Sequence, residues 1–305
     1  MNKEYEASLK SIETENVIDK LFYRRIGFVL ARQLMGTGVT PNMITVVSIF
    51  VGVAAGVLFY PDNLGYNLCG ILCLVIANIL DCADGQLARL AGIKSEIGRI
   101  LDGVAGDIWF LAIYLGLAFR LHDLYAGYDL CLFIGIALLS GFSHLFQANI
   151  TDYYKTLHLF FISKDKGAEF QTAEEVIAKH KAFKPGLNKV FFLLYRWYTL
   201  AQVNATPSLQ QMLHSLKSRY GEDIPETVRL SFRRQSLRLM THYVDLLTFN
   251  GRTIILFIVV LTGYVQMYFL YEIVVLNIVL AIAMRKHEKM CTAFVVKQEN
   301  EENSY

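Results

Sequence analysis

Six apolar runs, each close to the length that a helix needs to cross a bilayer, limit what this chain can become. They fall at roughly 43–60, 66–81, 104–121, 129–150, 246–264 and 266–284, and about 20 consecutive apolar residues make one spanning helix. The predicted fold is therefore an all-α integral membrane protein with six transmembrane helices. Composition agrees, because 54% of the residues are hydrophobic and only 18% charged, more apolar than an ordinary soluble domain. The run at 66–81 is short, but its helical pattern continues through DCADGQLARL, so this helix is expected to project beyond the bilayer with a wet polar end. Of the five cysteines, only Cys69 and Cys73 lie one helical turn apart, which argues against a disulfide framework or a zinc site. The first 26 residues are polar and charged and carry no apolar stretch of the kind found in a cleavable signal.

Lysine and arginine set the expected orientation, since cytoplasmic loops are enriched in them. Six lie in the first 40 residues, three (Arg89, Lys94, Arg99) between the second and third runs, fourteen in 151–245 and four after residue 284. The opposite loops, PDNLG and LHDLYAGYD, hold none, with Arg120 at the border. Both termini are thus predicted to be cytoplasmic. The chain divides into an N-terminal cytoplasmic or interfacial segment (1–40), helices one to four (41–150), a cytoplasmic or interfacial helical insert (151–245), helices five and six (246–285) and a cytoplasmic tail (286–305). A seventh span at VFFLLYRWYTLAQV (190–203) is disfavoured because it is short, carries Arg196 near its centre and would invert the basic segments after it. An interfacial helix, or one packed on a small insert, fits better. Residues 1 to about 15 and 297–305 are polar and expected to be mobile.

The stretch ILDCADGQLARLAGIKSEIGRILDGVAGDIWF places Asp81, Asp84, Asp102 and Asp107 beside these apolar runs. At about 100° per residue, Asp81, Asp84, Gly85, Ala88 and Arg89 share an arc of roughly 140° on one helix. Two carboxylates one turn apart suit a hard divalent cation, the small residues leave room for a ligand near the backbone, and Arg89 can pair with phosphate. A second helix brings Gly98 and Asp102; packed alongside, it completes an oxygen-rich site suited to Mg²⁺ or Mn²⁺ on a diphosphate. The competing reading is solvated carboxylates at helix ends, paired with Arg89, Lys94 and Arg99.

These residues resemble the signature of the CDP-alcohol phosphotransferases, D-x2-D-G-x2-A-R-x8-G-x3-D-x3-D. Seven of its eight fixed positions match, at Asp81, Asp84, Gly85, Ala88, Arg89, Gly98 and Asp102. Upstream, TPNMITVVSIF, with Pro41, Asn42 and Thr45, is similar to the start of that family's first span. The insert shows no such likeness. The resemblance implies a two-metal site of Mg²⁺ or Mn²⁺ on which a CDP-linked lipid gives its substituted phosphate to an alcohol and releases CMP. It further implies Asp81, Asp84 and Asp102 as metal ligands, Gly85 and Ala88 as nucleotide contacts and Arg89 as a phosphate contact. The eighth position, the family's base, is Gly106 here, and the aspartate follows one residue later as Asp107. On a regular helix Asp107 points about 140° from Asp102 instead of about 40°. A one-residue π-bulge, eased by Gly103 and Gly106, is expected to turn Asp107 inward as ligand and base beside Asp102. The alternative is a polar residue buried between helices or paired with Arg99.

Other candidates are weaker. His144, Gln147, Thr151 and Asp152 lie near one face of the fourth helix and either line a pocket for a polar acceptor or bond between helices. Asn250 and Arg252, in FNGR, are placed to meet a phosphate on an acceptor or a lipid headgroup, with snorkelling the alternative for Arg252. Arg24, Arg25 and Arg32 make a basic amphipathic stretch that suits an anionic lipid surface, and Gly52-x3-Gly56 could let two helices approach closely. The expected function is phosphatidyl transfer from CDP-diacylglycerol to a small polar alcohol. Lys94, Arg99, Arg252 and the polar face of the fourth helix lean it toward a polyol or its phosphate, such as an inositol phosphate. The alternatives are a CDP-ethanolamine or CDP-choline:diacylglycerol phosphotransferase, a non-catalytic lipid- or nucleotide-binding member, or a transporter, whose broken helices and inverted repeats are not visible here. Membrane lipids are expected partners, a homodimer is an option, and nucleic acid is not expected.

Overall fold

The computed structural model describes residues 3–93, 96–163, 187–221 and 223–302. Every regular element among them is helical: α1 Lys3–Ser8, α2 Arg24–Leu34, α3 Pro41–Leu58, α4 Leu64–Leu90, α5 Glu96–Leu124, α6 Leu130–Ile162, α7 Leu187–Ala205, α8 Pro207–Tyr220, α9 Glu226–Leu239, α10 Phe249–Thr262, α11 Gln266–Leu270 and α12 Leu276–Glu302, with single π-turns at Asp19–Tyr23, Met240–Val244 and Tyr271–Val275. Helices satisfy every backbone donor and acceptor internally, which hydrocarbon requires. Among the described residues, six segments are long and apolar enough to cross a membrane: Pro41–Leu58, Leu64–Leu90, Leu101–Leu124, Leu130–Ile162, Glu226–Thr262 and Gln266–Gln298. These are the six predicted spans, and α7 is not among them.

The chain forms two compact units. The first comprises Met1–Phe146 and Phe249–Asn277, and its core runs along α3, α4, α5, α10 and α11 through Phe59, Leu74, Trp109, Ile113, Leu117, Val260 and Tyr268. Glycine sets the closest approach in it. A Cβ on Gly116 would lie 2.1 Å from the carbonyl oxygen of Gly56, and one on Gly56 would lie 2.5 Å from the backbone of Ala112. The backbones of α3 and α5 therefore touch at Gly56 and Gly116, as small residues permit in membrane helices, while Gly52 makes room for the Trp109 side chain. Arg120, the apparent exception to the charge pattern, is buried and ties α5 to the start of α4 through Asp62, Asn67 (3.0 Å) and the carbonyl of Phe59.

In the second unit, Gln147–Thr248 with Ile278–Tyr305, aromatic pairs supply the contacts. Phe161 stacks on Phe232 at 4.0 Å, and Tyr154 on His287 at 4.0 Å. The Glu288 carboxylate accepts the backbone N–H of Ser208 (2.6 Å) and of Leu209 (3.4 Å) at the first turn of α8. An anion there satisfies otherwise unpaired donors. On α7, Trp197 is 71% exposed.

Three boundaries differ from expectation. The fourth helix runs on to Ile162, because TDYYKTLHLFFI contains no glycine or proline to stop it. The region expected as a mobile tail continues α12 to Glu302, again through a stretch without helix breakers. The N-terminus is folded, with Tyr5, Ser8, Leu9, Ser11 and Thr14 buried. Tyr5 and Leu9 are four residues apart and present one apolar stripe to Phe28 and Leu90.

Candidate metal centre and the neighbouring buried charges

Asp81 and Asp84 project from the polar end of α4, and Asp102 from the first turns of α5. One carboxylate oxygen from each can be chosen so that all three lie within 4.8 Å of one another. Asp84 is 2% exposed, and Asp81 and Asp102 are half-buried. Thr45 of α3 donates its hydroxyl to Asp84 Oδ2 at 2.5 Å, so the residue that closes the upstream Pro-Asn motif orients a carboxylate of the cluster. Three anions held this closely repel one another unless a cation lies among them. An all-oxygen donor set without histidine or cysteine suits a hard divalent ion, so these residues fit the metal that the motif implies. Gly85 sits under Arg89: a Cβ there would come 3.2 Å and 3.4 Å from the two terminal guanidinium nitrogens. Ala88, one turn further along, is half-buried.

Asp107 does not join this group. The expected π-bulge is absent, since Glu96–Leu124 is one unbroken α-helix. A Cβ on Gly103 or Gly106 would meet nothing within 4 Å. An extra residue in the turn would disturb backbone hydrogen bonds, and the regular helix already gives Asp107 a neighbour: its Oδ1 lies 3.5 Å from His144 Nε2. His144 is buried, with Nδ1 3.2 Å from the Tyr114 hydroxyl and 3.8 Å from Glu272 Oε1, and its ring lies against Phe110 at 4.5 Å.

The same histidine borders a second charged cluster. Arg252 and Glu272 are 1% and 0% exposed and form a direct ion pair. The π-turn Tyr271–Val275 carries Glu272. Arg252, expected to meet a phosphate or to snorkel, is instead compensated inside the protein, and Asn250 donates to Asp19 Oδ1 at 2.8 Å. The pairing of Arg252 follows from its burial, because a buried cation is stable only beside an anion. Sequence reasoning missed Glu272, Tyr114 and Tyr268. A lone acid inside the sixth apolar run, YFLYEIVVL, was the available signal. Gln147, Thr151 and Asp152 belong to the second unit, where the first two are buried and Asp152 is exposed. Lys94 and the side chain of Arg99 lie outside the described residues.

Tyr23, ahead of α2, packs edge-on against Phe249 at 6.0 Å. Burial, and then the charge of Asp19, push its phenol up to about 12, so it stays protonated. Arg24 pairs with Glu15 at 3.0 Å, and Arg32 with Glu4 at 3.8 Å on the surface.

Fold and site together define a multi-pass helical membrane protein with a carboxylate centre at the polar ends of two adjoining helices. Residues 38–203 match the family model described as CDP-alcohol phosphatidyltransferase, and the chain belongs to that family. Among curated proteins it is 38% identical over 94 residues to a ceramide phosphoethanolamine synthase of Drosophila melanogaster, covering 28% of this chain and 24% of that protein. It is 33% identical over 89 residues to an archaetidylinositol phosphate synthase of Pyrococcus horikoshii, covering 29% of this chain and 46% of the relative. With a phosphatidylinositol phosphate synthase of Mycobacterium tuberculosis it shares 27% over 110 residues, covering 35% and 50%. The matches thus span between a quarter and half of these relatives. No solved structure matches.

Proposed function

We propose that this chain transfers the substituted phosphate of a CDP-linked alcohol to the hydroxyl of a second alcohol and releases CMP. The observation that carries this reading is the approach of the Asp81, Asp84 and Asp102 carboxylates to within 4.8 Å. On this reading those residues hold one or two Mg²⁺ or Mn²⁺ ions, which when bound neutralise the diphosphate and the departing CMP. Arg89 meets the phosphates, while Gly85 and Ala88 leave room for the nucleotide. The acceptor oxygen forms a bond to the phosphorus that carries the donor's alcohol, and the phosphorus–oxygen bond to CMP breaks. The base this reading assigns is Asp107, which the undistorted helix turns about 140° from Asp102 toward His144 Nε2 at 3.5 Å, so the acceptor hydroxyl has to approach from that side. Asp102 serves the transfer step as a ligand on the same helix.

The donor and acceptor we favour are CDP-diacylglycerol and a small polyol or its phosphate. The names of the archaeal and mycobacterial relatives support this reading, as do Lys94 and Arg99, which lie within the motif in sequence. Arg252 gives no such support, because Glu272 neutralises it. A second reading, CDP-ethanolamine with a lipid hydroxyl as acceptor, is favoured by the likeness to the ceramide phosphoethanolamine synthase. The deciding experiment supplies purified protein in lipid vesicles with each donor and acceptor pair and identifies the lipid product by mass spectrometry. A phosphatidylpolyol product supports the first reading and a phosphoethanolamine lipid the second. CMP release from no pair, with Mg²⁺ or Mn²⁺ present, defeats both.

We also propose that the aspartate centre, the 151–245 insert and both termini face the cytoplasm, on the strength of the basic residues in those segments. Single cysteines placed in 204–243 of a cysteine-free chain are then protected from an impermeant thiol reagent outside the cell. Labelling there would reverse the orientation.

A further inference from the structure

The N-terminal helix is hydrogen-bonded to the motif helix through Ser8. Ser8 is fully buried. Its carbonyl oxygen accepts the Nε–H of Arg89, and its hydroxyl accepts Gln86 Nε2 at 3.0 Å while donating to the carbonyl of Tyr5 at 2.7 Å. Behind it, Tyr5 packs edge-on against Phe28 at 5.5 Å, and Leu9 and Leu90 close the same apolar cluster. Gly27 of α2 admits the amide of Gln86, since a Cβ there would fall 2.7 Å from Gln86 Oε1. Two consecutive turns of the motif helix, at Gln86 and Arg89, are thus tied to one residue that lies 78 and 81 positions earlier in the chain.

The bond to Ser8 has a directional consequence for the arginine. A guanidinium presents five donors in a fixed planar fork. With Nε engaged by the Ser8 carbonyl, the fork cannot rotate about its stem, and its terminal nitrogens stay over Gly85. A long side chain held this way has already lost the rotamer freedom that it would otherwise lose when a phosphate binds.

We propose that the N-terminal segment is a working part of the donor site and that Ser8 is the positioning residue for Arg89, holding its guanidinium ready for the donor's phosphates. This rests on the reading given under Proposed function, in which Arg89 is a phosphate contact. The segment acts as a latch: Tyr5 and Leu9 anchor it, and Ser8 carries the effect to the motif.

The test measures donor affinity. Tyr5→Ala with Leu9→Ala loosens the anchor and its packing on Leu90 while changing no residue of the motif helix, and Ser8→Ala removes the tie to Gln86. Binding of CMP and of the CDP-alcohol is titrated in the full chain, together with Mn²⁺ affinity, thermal melting and the KM-against-kcat split. The latch variants are expected to weaken donor binding and raise donor KM by roughly three- to tenfold, the cost of ordering one long side chain, with Mn²⁺ affinity and acceptor KM unchanged. In an Arg89→Lys background, which lacks the Nε–H, loosening the latch should add nothing. Unchanged donor binding in the latch variants would overturn this inference alone. So would an equal loss in the Arg89→Lys background, or a loss that tracks melting temperature and falls on kcat and Mn²⁺ binding alike. A wild-type chain that binds neither CMP nor any CDP-alcohol would overturn the proposed function and this inference with it.

Discussion

Two of the charged groups in the first unit, the aspartate centre and the Arg252–Glu272 pair, are built on opposite principles. Asp81, Asp84 and Asp102 bring like charges together, with a threonine hydroxyl turned toward one of them. Arg252 and Glu272 bring opposite charges together, almost fully enclosed and bordered by His144, Tyr114 and Phe110. Enclosed charge is stable when compensated, and removing one partner of a buried pair costs more than the pair itself contributes. The arginine and glutamate compensate each other. The aspartates are partly offset by Arg24 and Lys10, and a divalent cation among them would complete the compensation. A balanced cluster holds helices in place, whereas an unbalanced one is built for a guest.

The largest effect that could break this contrast is on stability. Arg252→Met or Glu272→Gln alone should destabilise the protein by about 3–5 kcal/mol by stranding the partner's charge. The double change Arg252→Met with Glu272→Met should recover most of that loss. Denaturant or thermal unfolding in detergent reads it. Equal losses in the single and double variants would mean that the pair is not what the partners need. Asp81→Asn or Asp102→Asn, by contrast, relieves repulsion and should leave metal-free melting unchanged or raised.

A smaller effect sharpens the role of Asp107, the aspartate that faces His144. Asp107→Asn should lower turnover by about a hundredfold, the usual contribution of a general base, while CDP-alcohol binding survives. Because a Cβ on Gly106 meets nothing within 4 Å, Gly106→Asp can place a carboxylate about 40° from Asp102 around the helix. In the Asp107→Asn background it should restore part of the turnover. Full activity of Asp107→Asn, measured as CMP release, would take the base away from Asp107.

The six spans were legible because apolar length alone distinguishes them, and the aspartate motif because seven of eight positions keep their spacing. Legibility ended where a side chain's partner lies far along the chain. Nothing near Arg252 in sequence announces Glu272, twenty residues on, although an acid in an apolar span was a visible anomaly. Ser8 and Tyr5 sit in a segment whose polarity reads as loose, and only the facing surface of α2 and α4 shows why they are buried. The predicted π-bulge failed for a related reason: the helical phase of Asp107 was read against Asp102 alone, while His144 stands where an undistorted helix already points it. The π-turn that does occur, at Tyr271–Val275, carries Glu272.

The central claim is that the three aspartates hold a divalent cation, and Mn²⁺ titration of the purified full-length protein, read by electron paramagnetic resonance, tests it most directly. The account predicts saturable binding of one or two ions per chain that Mg²⁺ displaces, and loss of at least one ion in Asp84→Asn without a fall in metal-free melting temperature. Mn²⁺ binding of the same stoichiometry and affinity in wild type and Asp84→Asn would contradict it.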